Sequence, residues 1–194
     1  KVVVPNSATL NPGAQDFSYS VQVQTDRIPP GDTDYDLLRK GLSSTKGGEY
    51  KVEIINSNGV AKASCVVKDG GGRSAGISGT TNLADGALHT LTCSKTATRL
   101  TLTVDSLPPR TKTVKYPLRS ISNTVQLLIG AKSSTGVDAT NDWYTGVMRS
   151  ATPYMRSRHD QKSSHAASRR SDAPAPGSRR GSTSCRTSAG RSSR

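Results

Sequence analysis

The feature that most constrains the fold is a pair of alternating segments near the middle of the chain. Residues 85–93 (DGALHTLTC) and residues 98–106 (TRLTLTVDS) both alternate apolar side chains with Thr or other polar residues, and residues 94–97 (SKTA) separate them. A period of two places every second side chain on the same face of a strand, and a short polar break between two such runs is typical of a hairpin. Residues 85–106 therefore predict two adjacent antiparallel strands.

The same pattern recurs through the first three quarters of the chain. Residues 17–24 read FSYSVQVQ, and similar runs lie between turns rich in Gly, Pro and Asn, at residues 37–41, 50–54, 61–67, 111–116, 125–130 and 143–148. Residues 1–4 predict a short edge strand, because Pro5 stops the run. No segment has the periodicity of a helix. Ten or eleven short strands predict an all-β fold, a two-sheet antiparallel jelly-roll sandwich.

The composition changes after Met148. Residues 149–194 contain no Val, Ile, Leu, Phe or Trp, and they hold eleven Lys and Arg against two Asp, which accounts for most of the formal charge of +13. Such a segment cannot bury enough apolar surface to offset the entropy of ordering it. We predict one domain at residues 1–148 and a disordered basic tail at residues 149–194. Two interpretations of the tail stay open: a tether for nucleic acid or another anionic surface, or an extension translated in a shifted reading frame.

The three cysteines of the chain indicate whether the protein works in an oxidising or a reducing compartment. Cys65 and Cys93 each lie in a strand-like run, whereas Cys185 lies in the Ser- and Arg-rich tail. We predict a disulfide between Cys65 and Cys93, which would suit an extracellular protein; the alternative is two separate buried thiols in a reduced protein. The first residue is Lys1, with no signal-like segment after it, so we expect a processed or excised form. No stretch approaches the roughly 20 apolar residues of a membrane span.

Four motifs follow one another along residues 1–148. They are LLRKG at residues 37–41, the hairpin DGALHTLT and LTLTVDS at residues 85–92 and 100–106, LIG at residues 128–130 and YTGVM at residues 144–148. In order and spacing they resemble the motifs of laminin G-like domains in the concanavalin A-like superfamily. The resemblance implies two packed antiparallel sheets, binding of carbohydrate or protein, and in some members calcium at the rim of the sandwich. The Cys65–Cys93 pair is similar to the bacterial secreted variant of the domain.

The chain departs from the family pattern at two places. Leu88 stands where many members carry Trp, which we interpret as a change in the core. After Met148, members usually continue with an acidic pair and a further strand, whereas residues 149–153 read RSATP. We expect that strand to be missing and a neighbouring sheet edge to lie open.

The acidic residues argue against a glycoside hydrolase. Glu49 and Glu53 are the two glutamates of the chain, and they lie four residues apart on one strand with Lys51 between them. The rise of a strand separates them by about 13 Å, whereas a retaining enzyme needs about 5–5.5 Å. We therefore predict an outward-facing ladder of ion pairs. His89 shares a strand face with Leu91 and Cys93, so we interpret it as a structural residue and predict no enzyme.

Calcium is the one metal that the sequence favours. Asp138 and Asp142 lie in a loop before the last predicted strand, and Asp32, Asp34 and Asp36 form a second acidic cluster. Calcium prefers such oxygen ligands. The alternative is ordinary turn chemistry, since Asp and Asn are common in turns.

A sugar-binding surface is predicted beside the same loop. Trp143 and Tyr144 would point in opposite directions on a strand, so one ring is expected to be exposed next to Asp142 and to stack on a sugar; the alternative places Trp143 in the core. The sequence thus predicts a secreted, non-catalytic module that binds a glycan or a cell-surface protein. Binding of nucleic acid or an anionic surface through the tail is the alternative.

Overall fold

The computed structural model describes residues 1–135 and 142–155. These residues form eleven strands and one short 3-10 turn at Ala8–Leu10. None of the helical segments described here is long and apolar enough to cross a membrane. In chain order the strands are β1 (Val2–Val4), β2 (Phe17–Gln24), β3 (Asp34–Lys40), β4 (Gly48–Asn56), β5 (Ala61–Asp69), β6 (Ser74–Ser78), β7 (Leu88–Lys95), β8 (Arg99–Val104), β9 (Arg110–Thr113), β10 (Leu127–Ile129) and β11 (Val147–Met155).

The strands form two antiparallel sheets, and the predicted jelly-roll sandwich is confirmed. One sheet has six strands in the order β1-β10-β3-β4-β5-β6, and the other has five in the order β11-β2-β7-β8-β9. The opening hairpin is β7 and β8, in which Leu91 pairs with Val104 and Lys95 with Leu100. Strand β1 lies at the edge of the six-stranded sheet, as its Pro5 stop predicts.

The core lies between the two sheets and follows the alternation of the sequence. In β2 every second residue from Phe17 to Val23 is buried, and in β4 Tyr50, Val52 and Ile54 face them from the other sheet. The rings of Phe17, Tyr19 and Tyr50 pack together with centroids 5.2–5.7 Å apart. Burial of these side chains is the main stabilising contribution that the alternating pattern specifies.

The predicted disulfide is confirmed and joins the two sheets. Cys65 lies on β5 of the six-stranded sheet and Cys93 on β7 of the five-stranded sheet, and both are fully buried. The bridge therefore ties together the two layers through the middle of the core.

The last strand corrects the expectation of an open edge after Met148. Strand β11 continues to Met155 and pairs with β2 along its length, with one irregularity between Met148 and Ser150. Strand pairing uses backbone groups, so it tolerates the departure from the acidic family pattern at residues 149–153. The predicted domain boundary after Met148 falls inside this strand. The predicted disorder of the tail, from residue 156 onward, lies outside the described residues.

Candidate functional site

The face of the six-stranded sheet that points away from the core carries charged side chains. Strand register pairs Asp36 with Glu53 and Arg39 with Lys51, so both pairs lie on this face, and Glu49 lies on it two residues before Lys51. The sequence predicts that Glu49, Lys51 and Glu53 face outward. Instead Asp36, Arg39, Glu49 and Glu53 are buried, and Lys51 is largely buried. The predicted ladder of ion pairs is present, but it is covered.

Arg39 and Lys51 are the cations of this ladder. Arg39 Nη1 donates to Asp36 Oδ2 at 2.8 Å, and its Nη2 lies 3.6 Å from Glu49 Oε2. Lys51 Nζ lies 3.5 Å from Asp34 Oδ2 and contacts Glu53 Oε2 closely. Each cation therefore bridges two carboxylates, which is the arrangement that buried charges require.

Some buried polar atoms of the ladder make no hydrogen bond. They are Arg39 Nε, Asp34 Oδ1, Asp36 Oδ1 and Glu49 Oε2, the last of which is held only by its ion pair with Arg39. Nearly all buried polar groups in folded proteins are hydrogen-bonded, so such exceptions call for an explanation. All four atoms belong to residues of the charged face of the six-stranded sheet.

Burial also raises the pKa of two carboxyl groups on this face. Desolvation raises the pKa of Asp36 to about 7, although the Arg39 guanidinium opposes the shift. Desolvation raises the pKa of Glu53 to about 7 as well, against the attraction of Lys51. These two carboxyls therefore exchange protons near neutral pH.

The two acidic clusters of the sequence meet at the edge of this face. One carboxylate oxygen each from Asp34, Asp36 and Asp142 lies within 4.8 Å of the others. The Asp36 N–H donates to the Asp142 carbonyl at 2.9 Å, which fixes the loop against β3. Asp142 has a φ of +47°, a region that Asp tolerates better than most residues. Asp32 is not in this group, and Asp138 lies outside the described residues.

The donor set of this group fits calcium. The Oδ1 atoms of Asp34 and Asp36 are buried without a hydrogen-bond partner, so two carboxylate oxygens are free to coordinate an ion. Calcium takes carboxylate and carbonyl oxygens in flexible geometry. Lys132 Nζ lies 2.7 Å from Asp142 Oδ2 and neutralises that carboxylate, so an ion would compete with this lysine. Asp34, Asp36 and Asp142 are the residues that would hold the ion.

A cavity of about 410 Å³ lies next to the charged ladder, and we call it the β10 cavity. Leu128 of β10 pairs with Arg39 of β3, so these two side chains lie on the same face and line the cavity. The buried Lys40 Nζ donates to the Val125 carbonyl at 2.6 Å and so holds one wall in place. The described lining residues are Arg39, Gly41, Leu42, Thr45, Val125, Gln126, Leu128, Lys132, Ser133 and Ser134.

The predicted sugar-binding rings lie elsewhere. Trp143 and Tyr144 precede β11 rather than lying in the predicted strand, and the alternative that places Trp143 in the core is wrong, because Trp143 is exposed. Trp143 is 40% exposed, with Lys1 Nζ 5.2 Å from its ring centroid. Tyr144 Oη donates to the Gln24 carbonyl at 2.8 Å. Neither ring lines the β10 cavity. A role for Trp143, Tyr144 and Asp142 in ligand binding stays a prediction.

His89 has a structural environment, as its strand position predicts. Its Nδ1 lies 2.8 Å from Asp105 Oδ2 and its Nε2 lies 3.0 Å from Asp85 Oδ1. Burial lowers its pKa, but the hydrogen bonds to the two carboxylates outweigh that effect and hold the pKa above the usual value. The imidazole thus connects the loop before β7 with the turn after β8.

Sequence reasoning missed Arg39 and Lys132 as site residues. The sequence predicts only a short strand at Arg39, and nothing in it indicates which loop covers this side chain. The available signal is the number of charges: residues 34–39 (DYDLLR) hold two Asp and one Arg, and residues 49–53 (EYKVE) alternate Glu with Lys. The register places like charges directly opposite each other, so the ion pairs form along each strand and diagonally between the strands.

Solved structures with the same architecture share little sequence with this chain. The mouse laminin α1 chain, domains LG4-5, is 13% identical with a TM-score of 0.57, over 80% of this chain and 40% of that one. A Ruminococcus gnavus IT-sialidase CBM40 is 9% identical with a TM-score of 0.53, over 82% of this chain and 94% of that one. The enzymatically active domain of bacteriophage CBA120 tailspike protein 2 is 13% identical with a TM-score of 0.52, over 82% and 28%.

The similarity to these structures establishes the fold. The chain spans less than half the length of the mouse laminin structure that it matches. A comparison with curated protein sequences finds no match. The sequence model of the laminin G domain matches residues 45–152, which is more than half of the chain. The chain therefore belongs to the laminin G domain family.

Proposed function

We propose that this domain is an extracellular, non-catalytic binding module that holds a glycan or protein ligand in the β10 cavity. The observation that carries the proposal is Arg39. Its side chain is 6% exposed, it lines the cavity, and its Nε–H has no hydrogen-bond partner. A fixed polar group at the wall of a partly apolar cavity is typical of sites that orient a bound ligand.

The acidic residues support a non-catalytic role. Glu49 lies beside Arg39 and Glu53 contacts Lys51, so each glutamate has its own cation. General acid catalysis on a glycosidic bond needs a second carboxylate placed across that bond. The two glutamates instead lie four residues apart on β4, with Lys51 between them.

An extracellular location is supported by the Cys65–Cys93 disulfide, which is buried between the sheets. Structural disulfides persist in oxidising compartments and are rare in reducing ones. Calcium is part of the proposal, held by Asp34, Asp36 and Asp142. Calorimetric titration of calcium into the protein should give a saturable signal that Asp142→Asn reduces, and a flat titration would remove calcium from the proposal.

The cavity is tested by filling it. Gln126→Trp places a large ring at the cavity wall, and Gln22→Trp places the same ring on the opposite sheet as a matched control. Binding of the full chain to a printed glycan array and to immobilised extracellular-matrix proteins should be lost in Gln126→Trp and retained in Gln22→Trp. Equal binding by both variants would place the ligand outside the β10 cavity.

A second candidate function rests on the charge of the C-terminal segment. Residues 149–194 carry eleven basic and two acidic residues, which favours binding to nucleic acid or another polyanion. Affinity of the full chain for duplex DNA would then fall steeply between about 50 and about 200 mM salt, because binding releases counterions from the DNA. Gln126→Trp would leave that affinity unchanged. Salt-independent or undetectable DNA binding would remove this candidate.

A further inference from the structure

The turn between β4 and β5 carries the one Asn-Gly pair of the sequence, Asn58-Gly59. Both residues have positive φ, +54° and +78°. The flanking Ser57 and Val60 exchange backbone hydrogen bonds at 2.9 and 3.3 Å. This is the two-residue type I′ turn that Asn and Gly favour. Asn58 and Gly59 are both exposed, so water reaches the turn.

An Asn-Gly pair loses its side-chain amide more readily than other pairs, because the neighbouring backbone attacks it. The deprotonated nitrogen of Gly59 bonds to Cγ of Asn58 and closes a succinimide ring, and the side-chain nitrogen takes up a proton and leaves as ammonia. Water then adds to either ring carbonyl and breaks its bond to the ring nitrogen, which gives Asp or isoaspartate. Glycine has no Cβ to hinder the attack. Beyond the chain neighbours, no atom lies within 4 Å of where a Cβ of Gly59 would stand.

The attacking nitrogen of this reaction is held by Asn56. The Gly59 N–H donates to Asn56 Oδ1 at 2.9 Å. Asn56 Nδ2 donates to the Pro29 carbonyl at 3.0 Å, and because a carbonyl only accepts, this bond fixes which end of the amide faces Gly59. A hydrogen bond made by the neutral N–H opposes its deprotonation. The nitrogen must therefore give up this bond before it attacks Asn58.

The two asparagines that precede Ser are less suited to the same reaction, because their own side chains are held. Asn6 Oδ1 accepts hydrogen bonds from Lys40 and Asn11. The Asn56 amide is bonded at both ends. A side chain held in this way cannot turn toward the backbone nitrogen that follows it. The exposed Asn58 is thus the asparagine that the described fold leaves best placed to react.

We propose that Asn58 is the site at which this domain loses a side-chain amide to water, and that Asn56 slows the loss by holding the Gly59 N–H. The product carries a negative charge where the turn is neutral. Its isoaspartate form also adds a methylene group to the backbone, which a two-residue turn cannot accommodate without loosening this end of the hairpin. The inference is independent of the β10 cavity and of the proposed function.

The test follows loss of the Asn58 amide from the full chain in warm neutral buffer. Fragmentation of the tryptic peptide of residues 52–62 distinguishes Asn58 from Asn56, and enzymatic methylation detects isoaspartate. Asn56→Ala should speed the loss about fivefold, the effect of one hydrogen bond. Asn56→Asp keeps an acceptor for the Gly59 N–H and should react no faster than wild type. Both variants lose the donor to Pro29, so the difference between them isolates the Gly59 contact.

Two further variants serve as controls. Asn58→Gly keeps a residue that adopts positive φ without strain, and its peptide should show no amide loss at position 58. Ser57→Ala removes the contact of Lys62 Nζ with Ser57 Oγ at 3.1 Å but leaves the Gly59 bond, so it should react at the wild-type rate. In guanidinium chloride the folded contacts are absent. Wild type and both Asn56 variants should then share one rate, faster than that of native wild type.

Each outcome decides one part of the inference. Equal native rates for Asn56→Ala and wild type would overturn the role of Asn56. Equal acceleration in Asn56→Ala and Asn56→Asp would assign the protection to the Pro29 contact instead of the Gly59 bond. Loss of amide chiefly from another asparagine would overturn the assignment of Asn58. If Asn56→Ala fails to fold, native and denatured wild type still decide, because equal rates in these two states would show that the fold gives no protection.

Discussion

The outward faces of the two sheets are built on the same alternation but have opposite chemistry. The five-stranded sheet presents uncharged Ser, Thr and Gln side chains that are half-buried, such as Gln22 on β2, Thr92 on β7 and Thr103 on β8. The six-stranded sheet presents charged side chains that are buried, including Asp36 and Arg39. Alternation thus determines which residues point away from the core, but it does not determine what lies over them.

The covered face carries more negative than positive charge. If every group is ionised, its five carboxylates exceed its three cations by two charges. Two of these carboxyls, Asp36 and Glu53, have a pKa of about 7, so protons remove the surplus in mildly acidic solution. A divalent cation would remove the same surplus at higher pH. The groups are Asp34, Asp36, Glu49, Glu53, Asp142, Arg39, Lys51 and Lys132.

The largest difference between the two faces should appear in the free energy of unfolding when one cation is removed. Lys51→Met leaves Asp34 and Glu53 without their shared partner, and we expect a loss of about 4 kcal/mol in the free energy of unfolding. The matched change on the other sheet, Thr92→Val, should alter it by less than about 0.5 kcal/mol. Urea denaturation of the three proteins measures both effects. Similar values for the two variants would mean that the covered face behaves like a solvated one.

The disulfide links the two sheets, so its loss should weaken both alike. Cys65 and Cys93 are 28 residues apart, and closing such a loop in the unfolded chain stabilises the fold by about 3–4 kcal/mol in the chain-entropy model. The double variant Cys65→Ala, Cys93→Ala should lose about that amount in urea denaturation. Wild-type protein denatured with reductant should match it, and a loss below about 1 kcal/mol would contradict the prediction.

The sequence predicts the sandwich because its hairpin, its alternating runs and its two core cysteines are local patterns. It does not predict the site to the same degree, because the site is made by segments far apart in the chain. Asp34 and Asp142 both belong to predicted acidic clusters, but nothing local indicates that they meet. Arg39 lies in a segment that is assigned to a strand, and its importance arises only from burial. Strand β11 forms through backbone pairing, which side-chain patterns report weakly.

A smaller difference between the two faces should appear in how the free energy of unfolding depends on pH. The pKa of Asp36 is raised from 3.8 in the reference state to about 7 in the fold, so the folded protein binds more protons than the unfolded chain between these values. The free energy of unfolding, measured in chelator, should therefore fall as pH rises from about 4 to about 7. Asp36→Asn should make this fall less steep. An unchanged slope would mean that Asp36 is ionised throughout the range.

The smallest effect on the free energy of unfolding should come from His89. This residue lies in the five-stranded sheet and titrates in a higher pH range than Asp36. Its folded pKa lies above 6.5, so its contribution to stability is fully present below about pH 6.5 and is lost as pH rises through the folded value. Its partners Asp85 and Asp105 are 46% and 37% exposed, so solvent screens the attraction. His89→Gln should remove the decline above pH 6.5 and leave the decline between pH 4 and 7 in place. Urea denaturation of wild type, His89→Gln and Asp36→Asn at pH 4–9 therefore assigns the decline in each pH range to one sheet. If the free energy of unfolding of His89→Gln runs parallel to that of wild type above pH 6.5, the decline there has another origin.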